Sequence, residues 1–205
     1  MASKGEQTRE RILAAAEALT LKQGFAGTSL DDVLAATGLT KGAFFHHFPG
    51  KADLGRAIIE RFVAQESAMF DEWSARADRL SDDPLERTLI FLRLFEEFLD
   101  ALPTPHAGCV FAAYMHEISK FGPEMQRFIE RELRRWQSLY ERKFDALITD
   151  RPPVLPVTAT ELAEMIVSII EGALIMANAY RDRALVQRQS RLFRQHLELL
   201  FRRAN

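Results

Sequence analysis

The sequence predicts an all-α protein of about nine helices. Apolar residues recur at three- and four-residue spacing over long stretches, strand patterns are almost absent, and glycine or proline separates the helical segments. The 205 residues, 47% of them hydrophobic, suffice for one large domain or two small ones with a proper core. We predict an N-terminal three-helix domain over residues 1–54 and a helical domain over residues 55–205.

The first two helices are predicted from their caps. The first runs from about Thr8 to Gln23, and Gly24 suits the left-handed position that often follows a helix. Thr28 is the expected N-cap of the second helix, with Asp31 three residues on as a variant of the capping box. Gly38 ends that helix, because glycine takes a positive φ at little cost.

A third, very short helix follows, capped by Thr40 and extending to about His47 before the break at Pro49-Gly50. Two short helices joined by a glycine turn are typical of a helix-turn-helix, which places its second helix in the major groove of DNA. So short a helix must enter by its amino end, where free N–H groups and the positive end of the dipole face phosphate. Gly42 carries no side chain and would let the backbone approach DNA closely.

Several side chains around this helix have chemistry suited to DNA. Thr40 can donate to a phosphate, Lys41 supplies charge, and Lys51 begins the next helix within reach of the backbone. Phe44 and Phe48 should face the core, whereas Phe45, His46 and His47 share the exposed and flanking faces. The alternatives are that Phe45 is core and that the histidines are ordinary surface groups. A metal pair is disfavoured, because adjacent helical residues point apart.

The remaining helices predict a second functional region. A long fourth helix reaches about Ala77, a fifth begins at Pro84, a sixth carries Val110 to Ile118, and a seventh covers about Glu124–Ile148. A proline-rich loop over residues 152–156 precedes two apolar helices joined by a short turn, which must form an antiparallel pair.

Composition restricts the function classes. A net charge of −2 gives no overall bias toward nucleic acid, and the first 56 residues carry seven positive and six negative side chains. The single cysteine, Cys109, excludes an internal disulfide framework and suits a reducing, cytoplasmic setting. No secretory signal and no run of ~18 apolar residues is visible.

Enzymatic motifs are absent from the sequence. No histidine has a glutamate three residues before it, as di-iron proteins require, and HEISK lacks the second histidine of a zincin. We therefore predict no enzyme, no cofactor and no metal. The alternatives are a small helical enzyme or redox sensor using Cys109, with His106 or His116 as an activating group, and a purely structural helical dimer.

The segment Thr8–Leu54, TRERILAAAEALTLKQGFAGTSLDDVLAATGLTKGAFFHHFPGKADL, resembles the TetR family of bacterial transcription regulators in spacing, glycines, caps and aromatics. The resemblance implies a ligand-responsive regulator, most often a repressor, that binds a palindromic operator as a homodimer and is released by a small molecule. It implies that Gly42 and Phe45 approach bases. The family commonly has tyrosine where this chain has Phe45, which could instead contact a thymine methyl. It also implies that phosphates are contacted by Thr28, Thr40, Lys41, His46, His47 and Lys51.

The resemblance makes the rest of the chain an effector-binding and dimerisation domain. The last two helices would form a four-helix bundle with those of a second subunit, so that two recognition helices meet successive major grooves. Large aromatic and polar side chains on apolar faces suggest a small-molecule pocket, although core packing is the alternative for each one. The candidates are Phe95, Phe98, Cys109, Phe111, Tyr114, Met115, Trp136, Tyr140 and Met165, with Glu117, Glu171 and Asn178 to orient the ligand.

Overall fold

The computed structural model describes residues 3–101, 109–115, 117, 119 and 121–202. Within those residues the secondary structure is entirely helical, as predicted. The helices are α1 Lys4–Gln23, α2 Leu30–Thr37, α3 Lys41–His47, α4 Lys51–Leu80, α5 Pro84–Ala101, α6 Val110–Met115, α7 Pro123–Asp150, α8 Ala159–Tyr180 and α9 Leu185–Leu200.

Helix α1 begins earlier than predicted because the sequence contains a capping box. The hydroxyl of Ser3 accepts from the backbone N–H of Glu6, and the Glu6 carboxylate accepts from the backbone N–H of Ser3. This reciprocal pair satisfies two amide groups that a helix start leaves without partners. At the other end, Gly24 has the positive φ of 77° but a ψ of 160°, so it is not in the predicted left-handed helical conformation.

Helix α2 is capped by Ser29, and the prediction of Thr28 and Asp31 was wrong by one residue. The Ser29 hydroxyl accepts from the N–H of Asp32, whose carboxylate accepts in return from the Ser29 N–H. The Ser29 hydroxyl, which also donates to the Asp32 carboxylate at 2.6 Å, and the Ser29 N–H together hold the pKa of Asp32 below its ordinary value. Gly38 follows the helix with a φ of 67° in the left-handed region, as predicted.

The chain forms two compact units, and we describe each separately. Unit 1 comprises Met1–Ala64 and Ala107–Leu133. It contains α1, α2, α3, the start of α4, α6 and the start of α7. Its core includes an aromatic stack in which the ring of Tyr114 lies 4.8 Å from Phe25 and 5.7 Å from Phe121, measured between centroids.

Unit 2 comprises Gln65–His106 and Arg134–Asn205. Helix α9 packs against both α5 and α8. A buried ion pair joins α5 to α9: the Arg194 guanidinium donates to both carboxylate oxygens of Glu96, at 3.0 and 3.2 Å. Both side chains are largely removed from water, so each charge depends on the other for its solvation. The predicted boundary between residues 54 and 55 stays a prediction.

Helices α8 and α9 also expose large apolar side chains. By length and composition alone α8 could cross a membrane, but this is weak evidence, since core helices of soluble proteins pass the same test. Single exposed apolar residues are common on protein surfaces, whereas several large apolar residues exposed on two packed helices are unusual. The exposed set is Met165, Ile175, Met176, Tyr180, Leu192 and Leu199.

Candidate DNA-binding surface

The short helix α3 is fixed at both ends by its own sequence. The hydroxyl of Thr40 accepts from the N–H of Ala43 at 3.3 Å, as the sequence predicted. Phe44 and Phe48 are buried, with ring centroids 5.8 Å apart. These two anchors orient the helix and leave Lys41, Gly42, Phe45 and His46 exposed.

The outward face carries an aromatic ring and two imidazoles. Phe45 is 50% exposed and its ring meets Phe44 edge-on at 5.5 Å. His46 is exposed and His47 half-buried, with ring centroids 5.1 Å apart. The placement of Phe45 favours the DNA-facing interpretation over the core one.

Gly42 lies at the amino end of α3 with open space around it. A Cβ built there would meet no atom within 4 Å, and Gly42 has no positive φ. Nothing within the described fold therefore requires glycine, although glycine is less favourable than alanine by roughly 0.8–1 kcal/mol in a helix interior and by about 0.5 kcal/mol in the first turn, where Gly42 lies.

The ammonium groups of two lysines beside this helix have different surroundings. The Lys41 ammonium is 3.5 Å from the Asp31 carboxylate, and both groups are well exposed, so the pair contributes little to stability. The Lys51 ammonium donates to the carbonyl of Ala26 at 3.1 Å and lies 4.8 Å from the centre of the Phe25 ring. Burial lowers the pKa of Lys51, and the nearby carboxylates of Glu117 and Asp32 oppose that shift. Lys51 is thus held in position at the turn before α2.

Thr28 occupies a different position from the one predicted. It is 3% exposed, and its hydroxyl donates to the carbonyl of Gly24 at 2.9 Å. It therefore stabilises the turn between α1 and α2 and offers no hydroxyl at the surface. The exposed hydroxyl at this point belongs to Ser29.

The turn between α1 and α2 also has a partner that sequence reasoning missed. The N–H of Ala26 donates to the Glu117 carboxylate at 2.6 Å. Glu117 was expected to orient a ligand, but its carboxylate lies at this turn. The two residues are 91 positions apart, so no local pattern could have predicted the contact.

The residues expected to line an effector pocket fall into both units. In unit 1, Tyr114 is fully buried and its hydroxyl donates to the Gly55 carbonyl at 3.2 Å. Burial raises the pKa of Tyr114. Phe111 meets Phe62 edge-on at 5.6 Å, and Cys109 is also buried. Met115 is half-buried.

In unit 2, aromatic rings of α4, α5 and α7 form a cluster. Trp73 lies 6.0 Å from Phe95 and 5.6 Å from Phe98, and Trp136 lies 5.8 Å from Tyr140. Such a cluster gives a ligand a rigid apolar wall. Glu171 is half-buried.

Two of the predicted pocket residues lie on the surface instead. Met165 is 39% exposed and belongs to the apolar face of α8, and Asn178 is also exposed. Helix α8 has apolar residues on an exposed side as well as on its buried side. The apolar spacing in the sequence therefore did not show which of these residues would be buried.

Glu66 of α4 is the functional candidate that sequence reasoning missed. Burial raises its pKa to about 7, the charge of Glu171 adds to the rise, and a hydrogen bond from the Trp136 indole opposes it. The available signal was a glutamate within the apolar stripe that contains Phe62 and Phe70. An acidic group that titrates near neutral pH beside aromatic rings is a typical feature of a binding site.

The described residues contain no group of three histidine, cysteine, aspartate or glutamate side chains able to hold a metal ion. His106 and His116, the proposed activators of Cys109, lie outside the described residues.

The helix-turn-helix and the separate helical unit define a class, the DNA-binding transcription regulators with a helical second domain. Residues 12–58 match the family described as bacterial regulatory proteins, tetR family, and residues 84–191 match the LmrA/YxaF-like transcriptional regulator C-terminal domain. The chain belongs to the TetR family.

Individual relatives agree with this assignment. An uncharacterised HTH-type transcriptional regulator of Lactococcus lactis is 26% identical over 181 residues, covering 85% of each chain. The HTH-type transcriptional repressor NemR of Escherichia coli is 42% identical over 57 residues, which cover 28% of this chain and 29% of NemR. The crystal structure of a TetR regulator from Chloroflexus aurantiacus superposes with a TM-score of 0.80 at 25% identity, covering 98% of this chain and 99% of that one.

Proposed function

We propose that the protein is a ligand-responsive transcriptional repressor that binds a palindromic operator as a homodimer and is released by a small molecule. The observation that carries the proposal is the exposed amino end of α3, with Gly42 where the fold does not need glycine. A glycine that weakens a helix is explained if the DNA backbone or a base edge must come closer than a Cβ allows. The family relationship and the repressor NemR among the relatives support it.

The side chains around Gly42 supply the two kinds of contact that specific DNA binding needs. Thr40, Lys41, His46 and Lys51 would contact phosphates and set the register, with His47 at the edge of the surface. Phe45 would touch bases, its apolar ring suiting a thymine methyl. Thr28 is left out of the proposed contacts, because it is buried.

Homodimerisation would use the exposed apolar face of α8 and α9. Two copies of that face related by a twofold axis would remove the apolar side chains of both protomers from water. The same symmetry would present two α3 helices to an inverted repeat, with half-sites about 34–36 Å apart. Regulators of this family form dimers and bind DNA operators.

The effector would bind in unit 2 against the aromatic cluster, with Glu66 and Glu171 as its polar groups. A ligand that prefers the protein conformation with low DNA affinity shifts the population toward it. A useful response needs a coupling free energy of roughly 1–3 kcal/mol between ligand and operator. We place this activity in the cytoplasm, where the operator is.

The test is a titration of purified protein against DNA from upstream of its own gene, using fluorescence anisotropy at several salt concentrations. Lys51→Ala should weaken binding to all sequences and reduce the salt slope by about 1. Lys22→Ala is the matched control, since Lys22 is an exposed lysine of α1 that is not among the proposed contacts. A panel of small molecules is then added to the complex. Equal affinity for a twofold-symmetric fragment and for random duplex would refute the proposal.

A further inference from the structure

The backbone of Ala26 is held by a charged side chain at each of its two polar groups. Its N–H donates to the Glu117 carboxylate at 2.6 Å, and its carbonyl accepts from the Lys51 ammonium at 3.1 Å. Glu117 follows α6, Lys51 begins α4, and Ala26 lies in the turn between α1 and α2. One residue of this turn therefore links two segments of unit 1 that are distant in sequence.

The segment that carries Glu117 is itself anchored beside the turn. Tyr114, three residues earlier, stacks on Phe25 with ring centroids 4.8 Å apart, and its hydroxyl donates to the Gly55 carbonyl at 3.2 Å. The fit is close, because a Cβ on Gly24 would lie 3.0 Å from a carboxylate oxygen of Glu117. The carboxylate therefore has a defined position against the turn.

The two hydrogen bonds of Ala26 are not needed to satisfy buried groups. Ala26 is exposed, so water would serve its N–H and its carbonyl if either side chain were removed. Interactions of charged groups at exposed sites contribute little to stability. Glu117 and Lys51 therefore restrict the geometry of the turn more than they stabilise the fold.

Lys51 is an exposed lysine whose ammonium nevertheless has a fixed position. Besides the Ala26 carbonyl it contacts the Phe25 ring, 4.8 Å from the ring centre. Partial burial lowers the pKa of Lys51, and attraction to the Glu117 carboxylate opposes that shift. An ammonium has three N–H donors, so the bond to Ala26 still leaves donors for a phosphate. A side chain that is already ordered loses less conformational entropy on binding than a mobile one.

We propose that Glu117 is a positioning residue for DNA binding: by holding the N–H of Ala26, it keeps the Ala26 carbonyl where that carbonyl orders the Lys51 ammonium for contact with a phosphate. Glu117 itself touches no DNA in this arrangement, and its negative charge opposes the approach of phosphate. The inference rests on the proposed function, because it concerns the contact of Lys51 with the operator.

The experiment measures DNA affinity by fluorescence anisotropy for two variants that remove the same charge. Glu117→Gln keeps an oxygen that can accept from the Ala26 N–H, whereas Glu117→Leu has a similar size and no acceptor. We expect Glu117→Leu to bind a twofold-symmetric fragment from upstream of the gene about fivefold more weakly than Glu117→Gln, the effect of having to order one long side chain. Glu117→Ala replaces Glu117→Leu if the latter does not fold.

Double variants test whether the effect passes through Lys51. In the Lys51→Ala background the affinities of Glu117→Gln and Glu117→Leu should agree within twofold, because no ammonium is left to order. A merely structural role would keep the fivefold difference in that background and would lower the urea midpoint of Glu117→Leu. Glu124 supplies the matched control: its exposed carboxylate pairs with Arg56 of α4, so Glu124→Gln and Glu124→Leu should bind the fragment equally.

Failure of this inference is distinct from failure of the repressor function. Suppose that the unmodified protein prefers the symmetric fragment to random duplex. Equal affinities of Glu117→Gln and Glu117→Leu, or a fivefold difference that persists in Lys51→Ala, would then overturn the role of Glu117 and leave the repressor function standing. Equal affinity of the unmodified protein for both duplexes would instead refute the function on which the inference rests.

Discussion

Glu66 makes the stability of unit 2 depend on pH in a direction opposite to that of most surface carboxylates. Burial raises its pKa from the ordinary 4.5 to about 7, so the folded protein holds a proton that the unfolded chain has released between those two pH values. The contribution of Glu66 to stability is therefore fully present below pH 4.5 and is lost as the pH rises through 7. Glu66→Gln removes the titration while keeping an oxygen that can accept from the Trp136 indole.

The magnitude follows from the pKa difference. At 1.36 kcal/mol per pH unit, the rise from 4.5 to about 7 corresponds to about 3 kcal/mol. Partial contact of Glu66 with solvent reduces this to about 2 kcal/mol. Glu66→Gln should therefore gain about 2 kcal/mol in unfolding free energy over the unmodified protein when the pH is raised from 5 to 8.

Urea unfolding followed by tryptophan fluorescence measures this directly. The two tryptophans of the chain, Trp73 and Trp136, both belong to unit 2, so their emission reports on the unit that contains Glu66. Protein concentration must be fixed, because the stability of the proposed homodimer would depend on it. Glu72→Gln, an exposed change on the same helix, should leave the pH dependence unaltered. If the unfolding free energies of Glu66→Gln and of the unmodified protein differ by the same amount at pH 5 and at pH 8, the reasoning is wrong.

Four further substitutions test helix α3, the N-cap of α2 and the buried ion pair. Gly42→Ala should stabilise unit 1 by about 0.5 kcal/mol in urea unfolding and weaken operator binding at least about tenfold in anisotropy titrations; unchanged affinity would remove Gly42 from the DNA surface. Ser29→Ala should lower the unfolding free energy by about 1 kcal/mol, and a neutral result would show that the cap is not needed. Arg194→Met should cost about 3 kcal/mol in thermal or urea unfolding, because it leaves the carboxylate of Glu96 buried. Adding Glu96→Leu should recover most of that loss, and a simple sum of the two losses would contradict the argument.

The helices could be predicted because their signals are local. Apolar spacing and proline or glycine breaks located them, with ends within a few residues. The N-cap of α2 was misplaced because threonine and serine are adjacent and both cap well. The burial of Thr28 decides between them, and burial is a tertiary property that a single sequence does not contain.

The part of the candidate site that could be predicted also depends on local sequence signals. The exposed amino end of α3 follows from its cap and its two buried phenylalanines, all within nine residues. The contact of Glu117 with Ala26 and the burial of Glu66 depend on segments distant in sequence. Met165 was misassigned because periodicity identifies apolar faces and does not say whether a face packs inside the chain or stays exposed.

The stacking of Tyr114 on Phe25 has a consequence for how the protein is made. Because residues 107–133 belong to the same compact unit as residues 1–64, the nascent chain cannot complete that unit when its first four helices leave the ribosome. At roughly 5–20 residues per second, the missing part arrives several seconds later. Until then Phe25 lacks its stacking partner. Unit 1, which carries the candidate DNA-binding surface, is therefore complete only after residue 133 of the 205 residues has been translated.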